Sequence, residues 1–68
     1  MNYFEWSQEY YNTAAEIAIV IEKLKNERKG KTAFEQKELN MKIAKYRIYY
    51  NECLDIANHL LARHKGVA

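Results

Sequence analysis

The feature that most limits the fold of this 68-residue chain is its shortage of residues that interrupt helices. It contains no proline, and its two glycines stand at positions 30 and 66. Proline and glycine are the strongest interrupters of regular structure, so two long uninterrupted stretches remain on either side of Gly30. A chain of this length forms one domain at most. We therefore expect a single helical-hairpin domain over residues 1–68, with its bend at about residues 29–32.

The stretch before Gly30 has the apolar periodicity of an amphipathic helix. At 100° per residue, eight residues fall on one stripe. They are Tyr3, Trp6, Tyr10, Ala14, Ile17, Val20, Ile21 and Leu24. Asn2 can accept a hydrogen bond from the first turn, and Glu5 follows three positions later as in a capping box. The pattern predicts a helix over about residues 3–29.

The stretch after Gly30 shows the same periodicity. Its stripe consists of Leu39, Ile43, Tyr46, Tyr50, Cys53, Ala57 and Leu60, with Leu54 and Leu61 at the margin. Thr32 and Glu35 have the spacing of a capping box, and Gly30 stands where a helix-ending residue with left-handed backbone is wanted. These signals predict a second helix over about residues 33–64.

A short bend makes two such helices antiparallel neighbours, so the expected fold is an all-α, antiparallel two-helix hairpin. A bend near Gly30 predicts the register as well. It places Leu24 beside the Leu39 region and Tyr10 beside Tyr50 and Cys53.

The chain carries more apolar surface than one contact between two helices can cover. This excess favours self-association, most simply a homodimer in which two hairpins form a four-helix bundle. Phe34, Met41 and Ile48 lie on the back of the second helix, where a third chain or a larger ring could also bind. The residues that we expect to contact a second copy or a protein partner are Phe4, Tyr11, Phe34, Met41, Ile48, Tyr49 and Ile56.

The residues that could carry catalysis are isolated from one another. His59 and His64 are five positions apart and point to different sides of a helix, and Asp55 with His59 would supply only two metal ligands. Cys53 has no histidine within one helical turn, although a catalytic thiol needs a nearby base. Gly30 alone makes no phosphate-binding loop. We therefore expect neither an enzyme nor a bound metal or cofactor.

The bend is rich in basic residues, and this leaves an alternative open. A small nucleic-acid-binding or regulatory protein could use it to contact an anion. The candidate residues are Lys25, Arg28, Lys29, Lys31 and Arg47. Arg47 stands among tyrosines in KYRIYY, and basic residues interleaved with aromatic ones can bind single-stranded nucleic acid. Against this, basic residues are expected at a helix C-terminus, and the net charge of the chain is only +2.

Three features bear on where the protein acts. Cys53 is the only cysteine, which fits a reducing compartment. The start of the sequence has no basic residue and no apolar run of the signal-peptide type. The longest apolar run, residues 17–21, is far shorter than the roughly 18 residues that a membrane span needs. We expect a cytoplasmic protein that does not cross a membrane.

Three stretches of the sequence are distinctive, namely the aromatic start FEWSQEYY, the basic bend EKLKNERKGKTAFEQKELN and the run KIAKYR, YYNEC and ANHL. In these stretches the chain resembles small helical proteins encoded in prophages of Gram-positive bacteria. This resemblance implies a phage-related setting with an assembly or adaptor role, and it assigns no functional residue. Together with the residue patterns, it leads us to expect a structural or interaction module rather than an enzyme.

Overall fold

The protein is a hairpin of two long helices. The computed structural model describes residues 2–66, so Met1, Val67 and Ala68 of the expected domain lie outside the described residues. Helix α1 is Tyr3–Glu27 and helix α2 is Ala33–His64. They pack against each other, and no residue from 2 to 66 forms a β-strand. The Cα atoms extend over 51 × 16 × 13 Å. The predicted all-α hairpin is confirmed.

Helix α1 begins and ends with identifiable hydrogen bonds. The Asn2 Oδ1 accepts from the Glu5 N–H at 2.8 Å, as the sequence predicts. At the other end, the Arg28 N–H donates to the Lys25 carbonyl at 3.3 Å, a bond that reaches back three residues instead of four. This tightening ends α1 at Glu27, two residues before the predicted end. The bend therefore occupies residues 28–32.

Helix α2 begins at the predicted capping box. The Glu35 N–H donates to Thr32 Oγ1 at 3.2 Å, and the Thr32 N–H donates to Glu35 Oε1 at 3.1 Å. The hydrogen bond that the Thr32 N–H donates to the Glu35 carboxylate, and after it the Thr32 side chain, lower the pKa of the Glu35 carboxyl below its ordinary value of 4.5. Gly30 has a φ of 74°, so the left-handed residue predicted between the helices is present.

The two helices meet along a narrow line of side chains, which we call the seam. On α2 it follows the predicted stripe, with Ile43, Ala57 and Leu60 buried. On α1 the buried residues are Ser7, Ala14 and Ile21. Three residues predicted for the α1 stripe remain largely exposed, namely Tyr3 (42%), Trp6 (40%) and Val20 (37%). Three of the six buried residues, Ser7, Ala14 and Ala57, are small, and small residues let helix backbones approach closely.

The register of the hairpin differs from the predicted one by about two helical turns. Tyr11 contacts Asn58, and Arg28 contacts Asn40. Leu24 lines a groove with Lys45 instead of lying beside the Leu39 region. The reason is the path of residues 28–32, which continue past the end of α1 before α2 turns back. Since α2 has 32 residues and α1 has 25, the first two turns of α2 extend beyond α1.

Candidate interaction surfaces

One side of the seam is predominantly apolar. Its residues on α1 are Trp6, Tyr10, Ile17, Val20 and Leu24, and on α2 they are Tyr46, Tyr49, Cys53 and Ile56. We call this surface the apolar face. A groove of about 370 Å³ lies on it, lined by Val20, Leu24, Lys42, Lys45, Tyr46 and Tyr49. The rings of Tyr46 and Tyr49 pack edge to face, with centroids 6.2 Å apart.

The opposite side of the seam carries amides and charges. We call it the polar face, formed by Tyr11, Ala18 and Glu22 of α1 with Asn40, Arg47, Asn51 and Asn58 of α2. The Tyr11 hydroxyl donates to Asn58 Oδ1 at 2.5 Å, and Arg28 Nη1 donates to Asn40 Oδ1 at 2.8 Å. These side-chain hydrogen bonds join the helices on this side, so polar side chains of the polar face bond to other residues of the same hairpin.

A third surface runs along the outer side of α2. Phe34, Met41 and Ile48, at seven-residue spacing, are 71%, 61% and 57% exposed. We call these three residues the back line. The sequence predicted their position on the back of α2, and the hairpin leaves them uncovered.

The other predicted contact residues fall in three different places. Tyr49 and Ile56 are exposed and lie on the apolar face. Phe4 lies at the open end of the hairpin, where its ring is 5.5 Å from the ring of His64. Tyr11 is half-buried beside the seam and bonded to Asn58. The structure thus brings Tyr49 and Ile56 together but separates Phe4 and Tyr11 from them.

The predicted anion-contact residues are also divided. Lys25 forms an ion pair with Glu22 at 3.5 Å, and Arg28 is half-buried and bonded to Asn40. Lys29 and Lys31 are exposed at the bend. Arg47 lines a groove of about 300 Å³ on the polar face, beside the second half of α1. At the bend, therefore, Lys29 and Lys31 are the most accessible members of the predicted set.

Charge is distributed unevenly along the hairpin. The half nearer the bend, residues 17–50, carries nine basic and four acidic residues, a net charge of +5. The half nearer the open end, residues 2–16 and 51–66, carries five acidic and two basic residues, a net charge of −3. We call these the bend half and the open half. The net charge of the whole chain is only +2 and therefore does not reveal that positive and negative charge are separated along the hairpin.

The histidines and the cysteine occupy separate positions. The His59 Nδ1 lies 3.1 Å from the Asp55 carbonyl oxygen, to which it can donate only when Nδ1 carries the proton. Cys53 is a half-buried free thiol. Within residues 2–66, no three histidine, cysteine or acidic side chains are grouped to hold a metal ion. In the same range, neither helix combines the length and apolarity needed to cross a membrane.

Sequence reasoning missed three residues that hold the hairpin together. Ser7 is fully buried, and its hydroxyl donates to the Phe4 carbonyl at 2.6 Å. Asn40 and Asn58 accept the two hydrogen bonds that join the helices. The signal for Ser7 was its seven-residue spacing from Ala14 and Ile21, which was overlooked because serine is polar.

Comparison with protein-family models, curated proteins and solved structures found no match to this chain.

Proposed function

We propose that the chain is a non-enzymatic structural and interaction module, a helical hairpin that self-associates and binds a protein partner. The observation that carries the proposal is the apolar surface left uncovered. In the part of the chain that the structure describes, ten large hydrophobic residues are exposed and five hydrophobic residues are buried. Several of them are grouped on the apolar face and on the back line, and grouped exposed apolar residues mark interaction sites.

The energetics of a small chain support self-association. Burial of apolar surface contributes about 25 cal/mol per Å², and a domain of about 60 residues is only marginally stable by itself. Small domains commonly gain further stability from a partner chain. A second hairpin would cover the exposed apolar surface of the first, and the product would be a four-helix bundle.

Self-association is tested by the mass of the protein in solution. Size-exclusion chromatography with light scattering at micromolar concentration should give about twice the chain mass of 8.1 kDa. Circular dichroism of the same sample should show a helical protein. A folded helical monomer under these conditions would contradict the proposal.

The back line is the surface that we propose for the protein partner. Met41→Glu should reduce capture of partners from a native lysate without changing the mass of the self-associated protein. Ala15→Glu is the matched control, since Ala15 is exposed and lies on the other helix, away from the back line. Equal capture by the two variants and the unchanged protein would argue against the back line.

A second candidate function is nucleic-acid binding through the bend. It is favoured by the net charge of +5 on the bend half and by the exposure of Lys29 and Lys31. Binding through phosphate contacts weakens steeply with salt. Retention on immobilised DNA or RNA at low salt, lost in Lys29→Gln/Lys31→Gln, would support it. Absence of retention at low salt would rule it out.

The proposed setting comes from the sequence. The resemblance to prophage-encoded proteins supports a phage-related assembly or adaptor role. The lone cysteine supports a reducing, cytoplasmic location. Both belong to the proposal and predict that the protein and its partner are present together during phage development.

A further inference from the structure

We infer that the apolar face is covered by a second copy of this chain, in an antiparallel arrangement that places the bend half of each copy on the open half of the other. This inference rests on the self-association proposed above. It adds the surface that pairs, the orientation of the two copies and the residues at their contact. It also leaves the back line free for a different partner.

The contrast between the two sides of the seam identifies the surface. On the polar face, Tyr11 and Arg28 satisfy their polar groups within the hairpin by bonding to Asn58 and Asn40. The apolar face instead exposes large side chains, among them Trp6 at 40% and Tyr49 at 42%. Aromatic residues are enriched at the centres of protein interfaces, whereas amides and charges are favoured at solvated surfaces.

The dimensions of the apolar face suit a dimer. The part in which both helices run side by side is about 36 Å long at a rise of about 1.5 Å per residue. The hairpin is 16 Å wide across its Cα atoms, which gives a projected area of about 600 Å². Side-chain relief makes the accessible area larger than the projection. A stable interface buries about 800 Å² on each partner, so a stable dimer would use nearly the whole face.

The apolar residues are arranged symmetrically about the middle of this face. The observed register places Ala15 of α1 level with Cys53 of α2. On α1, Trp6 and Leu24 are each nine residues from Ala15. On α2, Tyr49 is four residues before Cys53, and Ile56 is three residues after it.

A two-fold axis at this level, perpendicular to the helices, brings several of these apolar residues opposite one another. Trp6 then faces Leu24 of the second copy, and Tyr49 faces Ile56. Isologous contacts of this kind are the usual form of a symmetric dimer. The self-complementary spacing therefore fits a second copy better than an unrelated protein.

The separation of charge selects between two orientations. If both bends lay at the same end, the bend half of one copy, with a net charge of +5, would lie on the identical bend half of the other. The two open halves, each of −3, would also lie on each other. In the antiparallel arrangement, the overlapping part of each bend half, residues 17–27 and 41–50, has a net charge of +3 and lies on an open half of −3. Charges separated by less than a Debye length of about 8 Å at physiological salt are not fully screened. Complementary charge of this kind sets the orientation more than the affinity.

Distances between spin labels test the orientation. The label is attached to Asn26→Cys in a Cys53→Ala background, because Asn26 is exposed, uncharged and eleven residues from Ala15. Asn26 lies about 200° around α1 from Leu24, so its label points away from the pairing surface in either dimer. Antiparallel copies should give the clearly longer separation, because they add about 33 Å between the labels along the helix axes, whereas copies with both bends at one end add none. Labels at Asn12→Cys serve as the control, because Asn12 is only three residues from Ala15 and the antiparallel arrangement adds only about 9 Å between them along the helix axes.

A pair of glutamate variants tests the surface. Val20→Glu places a charge on the apolar face and should raise the dissociation constant of the dimer at least tenfold, as measured by dilution. Ala15→Glu places the same charge on an exposed position outside that face and should leave the dimer intact.

The possible outcomes are distinct. A monomer in the unmodified protein would overturn self-association itself. A dimer with a short Asn26 separation would overturn the antiparallel orientation alone. A dimer unaffected by Val20→Glu would overturn the assignment of the face.

Discussion

At the scale of single residues, small side chains decide how closely the helices approach. Ser7, Ala14 and Ala57 are 0%, 2% and 0% exposed, while larger neighbours such as Tyr10 remain half-buried. The Ser7 hydroxyl is satisfied within its own turn by the Phe4 carbonyl, so its burial leaves no unpaired polar group. Ser7 therefore packs in the seam as a small side chain, in the same way as an alanine would.

Substitutions of Ser7 should separate the effect of size from that of polarity. Ser7→Leu adds volume where two backbones approach, which should destabilise the protein by about 1–3 kcal/mol. Ser7→Ala keeps the residue small and should change stability by less than about 0.5 kcal/mol, because alanine favours the helix and no buried group loses its only partner. Urea denaturation at one fixed protein concentration measures both. Equal stability of the two variants would mean that the helices are not close at this position.

The Glu35 carboxylate should make stability depend on pH. Its pKa is lowered in the folded protein, chiefly by its hydrogen bond from the Thr32 backbone. Its contribution is therefore fully present above the ordinary value of 4.5 and is lost as pH falls through the lower folded pKa. Glu35→Gln, which keeps an acceptor without the charge, should melt at a lower temperature than the unmodified protein at pH 7.

This difference in melting temperature should shrink as the pH is lowered from about 5 to about 3. Thr32→Ala supplies the control background. Because it removes the hydroxyl of the capping box, the extra loss from Glu35→Gln should be smaller there. A difference that stayed constant with pH would contradict a role for the charge.

At the scale of elements, the sequence predicted the helices but not their register. Asn2, Gly30 and Thr32 act through neighbours within a few residues, so their roles at the helix ends could be read locally. The register depends on the path of residues 28–32, which no periodicity encodes. The stripe on α1 was predicted partly on the wrong side, because hydrophobicity favours Trp6 over Ser7 whereas close packing favours the smaller residue.

Gly30 should be important for its backbone conformation alone. Its φ is 74°, and no atom lies within 4 Å of the position that a Cβ would occupy. Gly30→Ala should therefore cost about 1 kcal/mol through backbone strain, without a steric clash. For a domain of this size, that is a fall of about 4–8 °C in melting temperature. Gly30→Asn should cost less, since asparagine tolerates this conformation better.

Gly66 offers a comparison for Gly30. It has a φ of 75° and equally open surroundings, but it follows the end of α2 instead of joining two helices. Gly66→Ala should therefore cost less, because a helix end can fray locally without separating α1 from α2. Thermal melts of the three variants, followed by circular dichroism, give the order. A larger loss at Gly66 would contradict a special role for the bend.

At the scale of the whole molecule, the sequence indicated an excess of apolar surface but not its distribution. Tyr49 and Ile56 could be placed on one flank of α2 from spacing alone. Which flank of α1 lies beside them, and whether Trp6 is covered, depends on how the helices are rotated about their axes. The burial of Ser7 reflects that rotation. Because the sequence analysis placed Trp6 in the stripe and left out Ser7, it did not predict that Trp6 is exposed on the surface.

Trp6 provides a test of assembly at this scale. It is the only tryptophan, lies on the apolar face and is 40% exposed in the single hairpin. Contact with a second copy should exclude water from the indole. Dilution from about 100 µM to well below 1 µM, across the range of typical weak dimers, should therefore shift its emission to longer wavelength.

The concentration dependence identifies the surface responsible. Val20→Glu should show the long-wavelength emission at all concentrations, because its charge opposes pairing through the apolar face. Met41→Glu should behave like the unmodified protein, since Met41 lies on the back line. If light scattering showed the dimer dissociating over this range while the Trp6 emission stayed constant, the contact would exclude Trp6. Pairing through the back line would then be tested by Met41→Glu, which should disrupt it.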